Sequence, residues 1–133
     1  MTTTDKGEIA KLKIELRAAE KGLLLSLPTR AESRYDCIID DGKQLLRAQI
    51  KFASCKDKRT EGIVYVGLRH KRKHRTTRYS SEEIDIVLAY LPDIDKVLAF
   101  PKEKFENKSG ITVRIQPRKN GERGEIYYED FLW

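Results

Sequence analysis

Ile9, Leu12, Leu16, Ala19 and Leu23 recur at three- and four-residue steps, the spacing of an amphipathic helix over residues 5–21. Asp5 stands where an N-cap belongs, and Gly22 where such a helix stops. Glu8, Lys11 and Glu15 share its polar side, in the plainest reading a solvated stripe. Residues 23–27 read as a short buried strand ended by Pro28, and residues 29–34 as a polar loop.

From Tyr35 the period changes to two. Tyr35, Cys37, Ile39, Leu46, Ala48, Ile50 and Phe52 form one face, and Asp36, Arg47, Gln49 and Lys51 the other. Asp41-Gly42 between them suits a two-residue type I′ turn, because glycine tolerates a positive φ. That turn pairs Asp40 with Lys43, Cys37 with Leu46 and Asp36 with Arg47. Asp36 and Gln49 become diagonal neighbours roughly 7–8 Å apart. From there two leaning side chains can share a metal ion, with Lys51 pointing the same way. The plainest alternative is an ordinary solvated hairpin face.

Residues 62–69 are a β-branched run and a candidate central strand. Residues 79–83 read as a turn or a short helical start, and residues 84–91 and 96–101 as strands joined at Pro92-Asp93. Residues 102–109 form a charged connector with room for one or two helical turns. Residues 111–116 alternate, with Thr112, Arg114 and Gln116 on one face, before an Asn120-Gly121 turn signal. The aromatic tail, residues 126–133, is expected to pack on its own core or on another subunit. Without repeats, the 133 residues read as a single α/β domain.

Charge sharpens this outline. The net charge is +6, and residues 43–78 hold twelve Lys/Arg against two acids. Six of those bases are Arg69, Lys71, Arg72, Lys73, Arg75 and Arg78. Such a run belongs outside a core and suits a polyanion, nucleic acid first. A solvated loop is the alternative. Arg114, Gln116, Arg118 and Lys119 form a second candidate DNA contact, since a strand ribbon bearing Arg and Gln suits a major groove; a charge-protected edge strand explains it equally well. DNA-binding loops and strands are thus expected within 54–78 and 111–123. His70 and His74 stand four apart in too cationic a setting for zinc. No apolar run approaches the roughly 20 residues of a membrane span, and the start lacks an apolar signal segment. Cys37 and Cys55 lack metal-ligand spacing; Cys37 reads as a buried thiol, and a reducing, cytoplasmic setting as the default.

An acid on one strand followed by acid-x-Lys on the next marks the PD-(D/E)XK nucleases, and Asp36 with Gln49-Ile50-Lys51 resembles that motif. Lys6-Gly7 opening a helix, Gly22 closing it, Pro28 and Tyr35-Asp36 are similar to a subgroup of archaeal Holliday-junction resolvases and intron-encoded homing endonucleases. The Gln-x-Lys form looks most like the group I intron homing endonucleases of cyanobacteria, over residues 6–101. The resemblance implies a restriction-endonuclease-like α/β core, a mixed β-sheet flanked by helices. It implies a site-specific double-strand endonuclease acting on duplex DNA with Mg²⁺ or Mn²⁺. Asp36 and Gln49 would be metal ligands and Lys51 would sit at the phosphate or the attacking water. The family's helix carboxylate falls at Lys11 here, a departure. Glu8, one turn earlier, is the nearest substitute, and Glu15 lies one turn later. Cutting both strands needs two sites, so a homo-oligomer follows, a dimer or a dimer of dimers. A Holliday-junction resolvase, a non-catalytic DNA-binding relative and a basic structural protein are the rivals. Junction preference, metal-independent binding without cleavage, and absence of DNA binding would mark them in turn.

Overall fold

The computed structural model describes residues 1–56, 62–72, 75–78, 81–117 and 126–133. Helix α1 (Thr3–Glu20) starts at Thr2, whose hydroxyl accepts from the Asp5 amide while the Asp5 carboxylate accepts from the Thr2 amide. Thr2, not Asp5, is therefore the N-cap, and Asp5 completes its capping box from three residues inside the helix. Gly22 has φ +72° and ends the helix. Its buried stripe is Ala10, Ile14 and Ala18, a face turned from the expected one, since Leu12 and Leu16 are 60% and 58% exposed.

Strands β1 (Leu24–Ser26), β2 (Cys37–Asp40), β3 (Leu45–Phe52), β7 (Ile86–Leu91) and β8 (Lys96–Pro101) form one mixed sheet in the order β1-β2-β3-β7-β8. Between β3 and β7 the chain makes β4 (Ile63–Gly67) and the strands β5 (Arg69–Arg72) and β6 (Arg75–Arg78), which pair with each other. After β8 come the one-turn helix α2 (Lys102–Phe105), β9 (Gly110–Arg114), β10 (Ile126–Tyr127) and a 3-10 turn (Tyr128–Phe131). Strands β10-β9-β4 form a second, three-stranded sheet.

Two cores lie on opposite faces of the large sheet. On one face α1 covers Cys37, Ile39, Ala48, Leu88 and Tyr90. On the other, Val87, Ala89, Leu98 and Phe100 pack with Val64, Val66 and Val113 of the second sheet. The tail packs on its own chain: Phe131 lies 5.2 Å from Phe100 between ring centres, and the Trp133 amide donates to the Val97 carbonyl at 3.0 Å.

Four expectations about the strands and their turn change as well. β1 is an edge strand with Leu24 69% exposed, not a buried one, because it pairs only with β2. β4 is an edge of the smaller sheet; β3 takes the centre of the large one. β9 lies between β4 and β10, so charge on an unpaired edge does not explain its polar face. The fourth change concerns the Asp41-Gly42 hairpin. Asp40 pairs with Leu45, so the loop has four residues instead of two. Gly42 has the expected positive φ, +86°. The Asp41 carboxylate accepts from the Lys43 and Gln44 amides, both at 2.8 Å, and Asp40 accepts from Gly42 at 2.8 Å. These side-chain bonds stabilise the longer loop in place of ladder pairs.

Candidate active site

The longer loop shifts the β2–β3 register by two residues, which preserves the faces of both strands. Cys37 now pairs with Ala48 and Ile38 with Arg47. Asp36 leaves that ladder one residue out of step: its amide donates to the Ala48 carbonyl at 2.8 Å, the carbonyl level with Cys37. Two residues opposite one is the count of a β-bulge, a device that re-aims a side chain. Tyr35 is switched as well. It packs in the core of the second sheet and not with Cys37 and Ile39, as strict alternation had it.

The bulge frees the Asp36 carboxylate to take over a main-chain task. Its Oδ2 accepts from the Ile50 amide at 2.7 Å, where a β2 carbonyl would otherwise serve. Burial pushes the Asp36 carboxyl above the usual carboxylate range, while the Ile50 amide and then the Lys51 and Lys11 charges oppose the rise. Burial likewise pulls the Lys51 ammonium below its ordinary value, against the pull of Asp36. A half-buried acid and a half-buried base thus act on each other across adjacent strands. Cys37 beside them is inert as a nucleophile: burial first, then the Asp36 charge, pushes its thiol up to about 12.

Lys11 belongs to this group. It lines a cleft of about 280 Å³ together with Leu27, Pro28, Thr29, Arg30, Ser33 and Asp36, among others. Glu8 is exposed and is not part of that lining. Glu15 is exposed too, though its charge reaches Cys37. The spacing that marked Lys11 as a departure also placed it one helical turn from both carboxylates; its nearness to Asp36 needed the fold.

A clamp behind the site had no signature in the sequence. Arg47 Nε and Nη2 donate to the two Asp85 oxygens at 2.9 and 3.1 Å, and the Arg47 amide donates to Oδ2 at 2.8 Å. Arg47 also reaches the Glu82 and Ser81 carbonyls, and Arg34 pairs with Glu83. Residues 81–85, which follow the basic hairpin, are thereby tied to β3 two residues from Gln49. Arg47 holds the Asp85 carboxyl below the usual range. A lowered carboxylate stabilises the fold above its unfolded pKa and loses that contribution as pH falls through the folded value. Asp85→Asn is expected to cost about 1 kcal/mol at neutral pH, modest because solvent screens the pair, and almost nothing in strong acid. Denaturant melts at both pH values check this.

Within the basic run, β5 and β6 pair antiparallel. Arg69, Lys71 and Arg72 stand on one strand and Arg75 and Arg78 on the other, with Arg69 opposite Arg78. Arg114 ends β9, half-buried, and the Gln116 side chain lies against Gly62, near enough to meet a Cβ there at 2.7 Å. Lys73, Arg118 and Lys119 fall outside the described residues.

Among the described residues no group of three His, Cys, Asp or Glu converges. A divalent ion would find one carboxylate and one amide oxygen, Asp36 and Gln49. That set fits Mg²⁺, which keeps waters and takes phosphate oxygens to complete its shell. No described helix is long and apolar enough to cross a membrane.

A half-buried acid, an amide and a lysine on adjacent strands of a mixed sheet, with a helix against that sheet, define a nuclease-type α/β core. The chain belongs to the PD-(D/E)XK endonuclease family, whose model matches residues 1–132. Its fold is similar to that of a bacterial homing endonuclease, I-Ssp6803I, with TM-score 0.80 and 22% identity, over 99% of this chain and 89% of that one. No curated protein matches the sequence.

Proposed function

We propose that this protein is a site-specific DNA endonuclease of the intron-homing type that makes a double-strand break by divalent-metal-dependent hydrolysis. The observation that carries the reading is the Asp36–Lys51 pair on neighbouring stretches of the sheet, with Asp36 lining a cleft that also contains Lys11 and Arg30. In this reading Asp36 and Gln49 would hold Mg²⁺ or Mn²⁺. Such an ion, when bound, would supply polarisation of the scissile phosphate and a water of lowered pKa. Lys51 steadies negative charge as it develops on the phosphate oxygens. Glu8, exposed and away from the cleft lining, would reach such an ion only through a water.

The β5–β6 hairpin and the end of β9 would grip the DNA backbone and grooves, Arg69, Arg114 and Gln116 among the contacts. A homo-oligomer, dimer or dimer of dimers, would supply the second site. Exposed apolar side chains support it: Leu12 and Leu16 one turn apart on α1, and Leu24 and Leu45 flanking Asp40 across three strands. Light scattering should return a dimer or tetramer mass; a monomer at the concentrations that cut DNA would remove this part.

The test is nicking and linearisation of duplex DNA with Mg²⁺ or EDTA, using intronless alleles of candidate host genes and a synthetic four-way junction. Discrete Mg²⁺-dependent cuts at one duplex site, absent in Asp36→Ala, are expected. Cutting confined to the junction would make the protein a resolvase. Gln49, a neutral ligand, favours one further reading, a DNA-binding relative without cleavage, which would bind the same duplex equally in EDTA and never cut it.

A further inference from the structure

The cleft beside Asp36 has an unusual charge balance for a metal site. Its lining contains Lys11 and Arg30 but only one carboxylate, Asp36. Lys51 acts on the same carboxylate from β3, and Gln49 contributes no charge. Arg30 shares its charge with Glu32, 3.6 Å away and highly exposed. Glu8 and Glu15, the nearest helix carboxylates in sequence, are both exposed and outside the lining. A divalent cation approaching Asp36 therefore meets two ammonium groups and one carboxylate. A phosphate oxygen meets the reverse balance, two attractive charges and one repulsive. Coulomb energies at a half-buried site exceed those in bulk water several-fold, so this difference governs the order of binding.

We propose that Lys11 makes this a phosphate-first site: the cleft takes up a DNA phosphate oxygen with Lys11 as a direct contact, and binds its divalent cation only once that phosphate is in place. The proposal rests on the nuclease reading for the identity of the phosphate. Its thermodynamic content is positive coupling: phosphate and cation each raise the affinity of the site for the other. The free protein binds Mg²⁺ or Mn²⁺ weakly because Lys11 and Lys51 oppose the cation. A bound phosphate neutralises them and donates the oxygen that Asp36 and Gln49 lack. Lys11 is thus a substrate contact that also times metal entry.

Mn²⁺ binding to the DNA-free chain, read as loss of the free-ion paramagnetic resonance signal, tests this directly. Lys11→Glu is expected to bind Mn²⁺ at least about tenfold more tightly than the parent, since it exchanges a repulsive charge for a ligand. Lys11→Gln should give a smaller gain by removing the repulsion alone, and Lys11→Glu combined with Asp36→Ala should lose the gain. Circular dichroism and thermal melts confirm that each variant is folded. Unchanged Mn²⁺ affinity in both folded Lys11 variants would overturn the proposal, as would tight Mn²⁺ binding by the parent without DNA. If the parent cuts DNA with Mg²⁺ and the Lys11 variants gain nothing, only this inference fails. If the parent never cuts, the nuclease reading fails, and tighter Mn²⁺ binding in Lys11→Glu still supports the electrostatic part.

Discussion

Lys51→Ala is expected to slow Mg²⁺-dependent cleavage by about 10²–10³-fold while DNA affinity in EDTA changes little. The reasoning starts from position. Lys51 stands on β3, the central strand of the large sheet, two residues beyond Gln49, where backbone pairing to β7 and the Asp36 bond to the Ile50 amide hold that stretch of chain. Its ammonium is half-buried and electrostatically tied to Asp36. A cation held rigidly in a partly desolvated site stabilises charge that develops in the transition state, and removing one such group costs catalysis of that order. Ground-state DNA binding depends instead on many exposed bases, so one interior lysine contributes little to it. The salt dependence of binding should stay the same, because the number of neutralised phosphates changes by one at most. Single-turnover cleavage and a parallel salt titration of affinity separate the two effects. Cutting at the parental rate would remove Lys51 from the mechanism. Loss of affinity equal to the loss of rate would reassign it to DNA binding.

The parts of this site that could be read from the sequence are those that depend on neighbours along the chain. Alternation placed Asp36, Gln49 and Lys51 beside a polar face, and a two-residue register error left that assignment intact because side chains repeat every two residues. The error itself arose from Asp40 and Asp41, whose carboxylates bond to loop amides; Asp-Gly alone does not reveal which turn those bonds favour. Tyr35 was assigned to the wrong face because a bulge at Asp36 has no signature in the residues around it. The strand over residues 62–69 was expected at the centre for its β-branched side chains. Val64 and Val66 are indeed fully buried, yet in a second sheet packed on the β7 and β8 face of the first. Burial follows from composition, whereas the choice of partner strand follows from contacts distant in sequence. The apolar run at Leu24 shows the converse: Leu23 and Leu25 pack on the helix-side core, but Leu24 is left exposed on an edge strand that pairs with β2 alone among the described strands.

Replacing the acid and the base together, Asp36→Asn with Lys51→Met, should abolish cleavage and raise stability by about 1–2 kcal/mol, a gain of about 3–8 °C in melting temperature. The sign follows from both groups. A carboxyl whose pKa rises on folding is destabilising to the fold when ionised, and that burden disappears as pH falls through the folded value. Asp36 is in this position. A lysine whose pKa falls on folding is destabilising when charged, and that burden disappears as pH rises through its folded value. Lys51 is in this position. At neutral pH the fold therefore carries both burdens, with the attraction between the two charges offsetting part of them. The Asp36→Asn change keeps a side-chain oxygen for the Ile50 amide, and Lys51→Met keeps the apolar length of the lysine stem, so neither cavity nor orphaned donor is introduced. Single variants should gain less, because each leaves its former partner without the opposite charge. Thermal melts of the parent, both singles and the double across pH distinguish this from general improvement: the advantage of the double should shrink in acid, as Asp36 in the parent takes up its proton. A double variant less stable than the parent at neutral pH would mean that Asp36 and Lys51 attract more strongly than their burial costs. In that case the pair would be a structural ion bridge, and the site would not be one that gives up stability to hold charge ready for a phosphate.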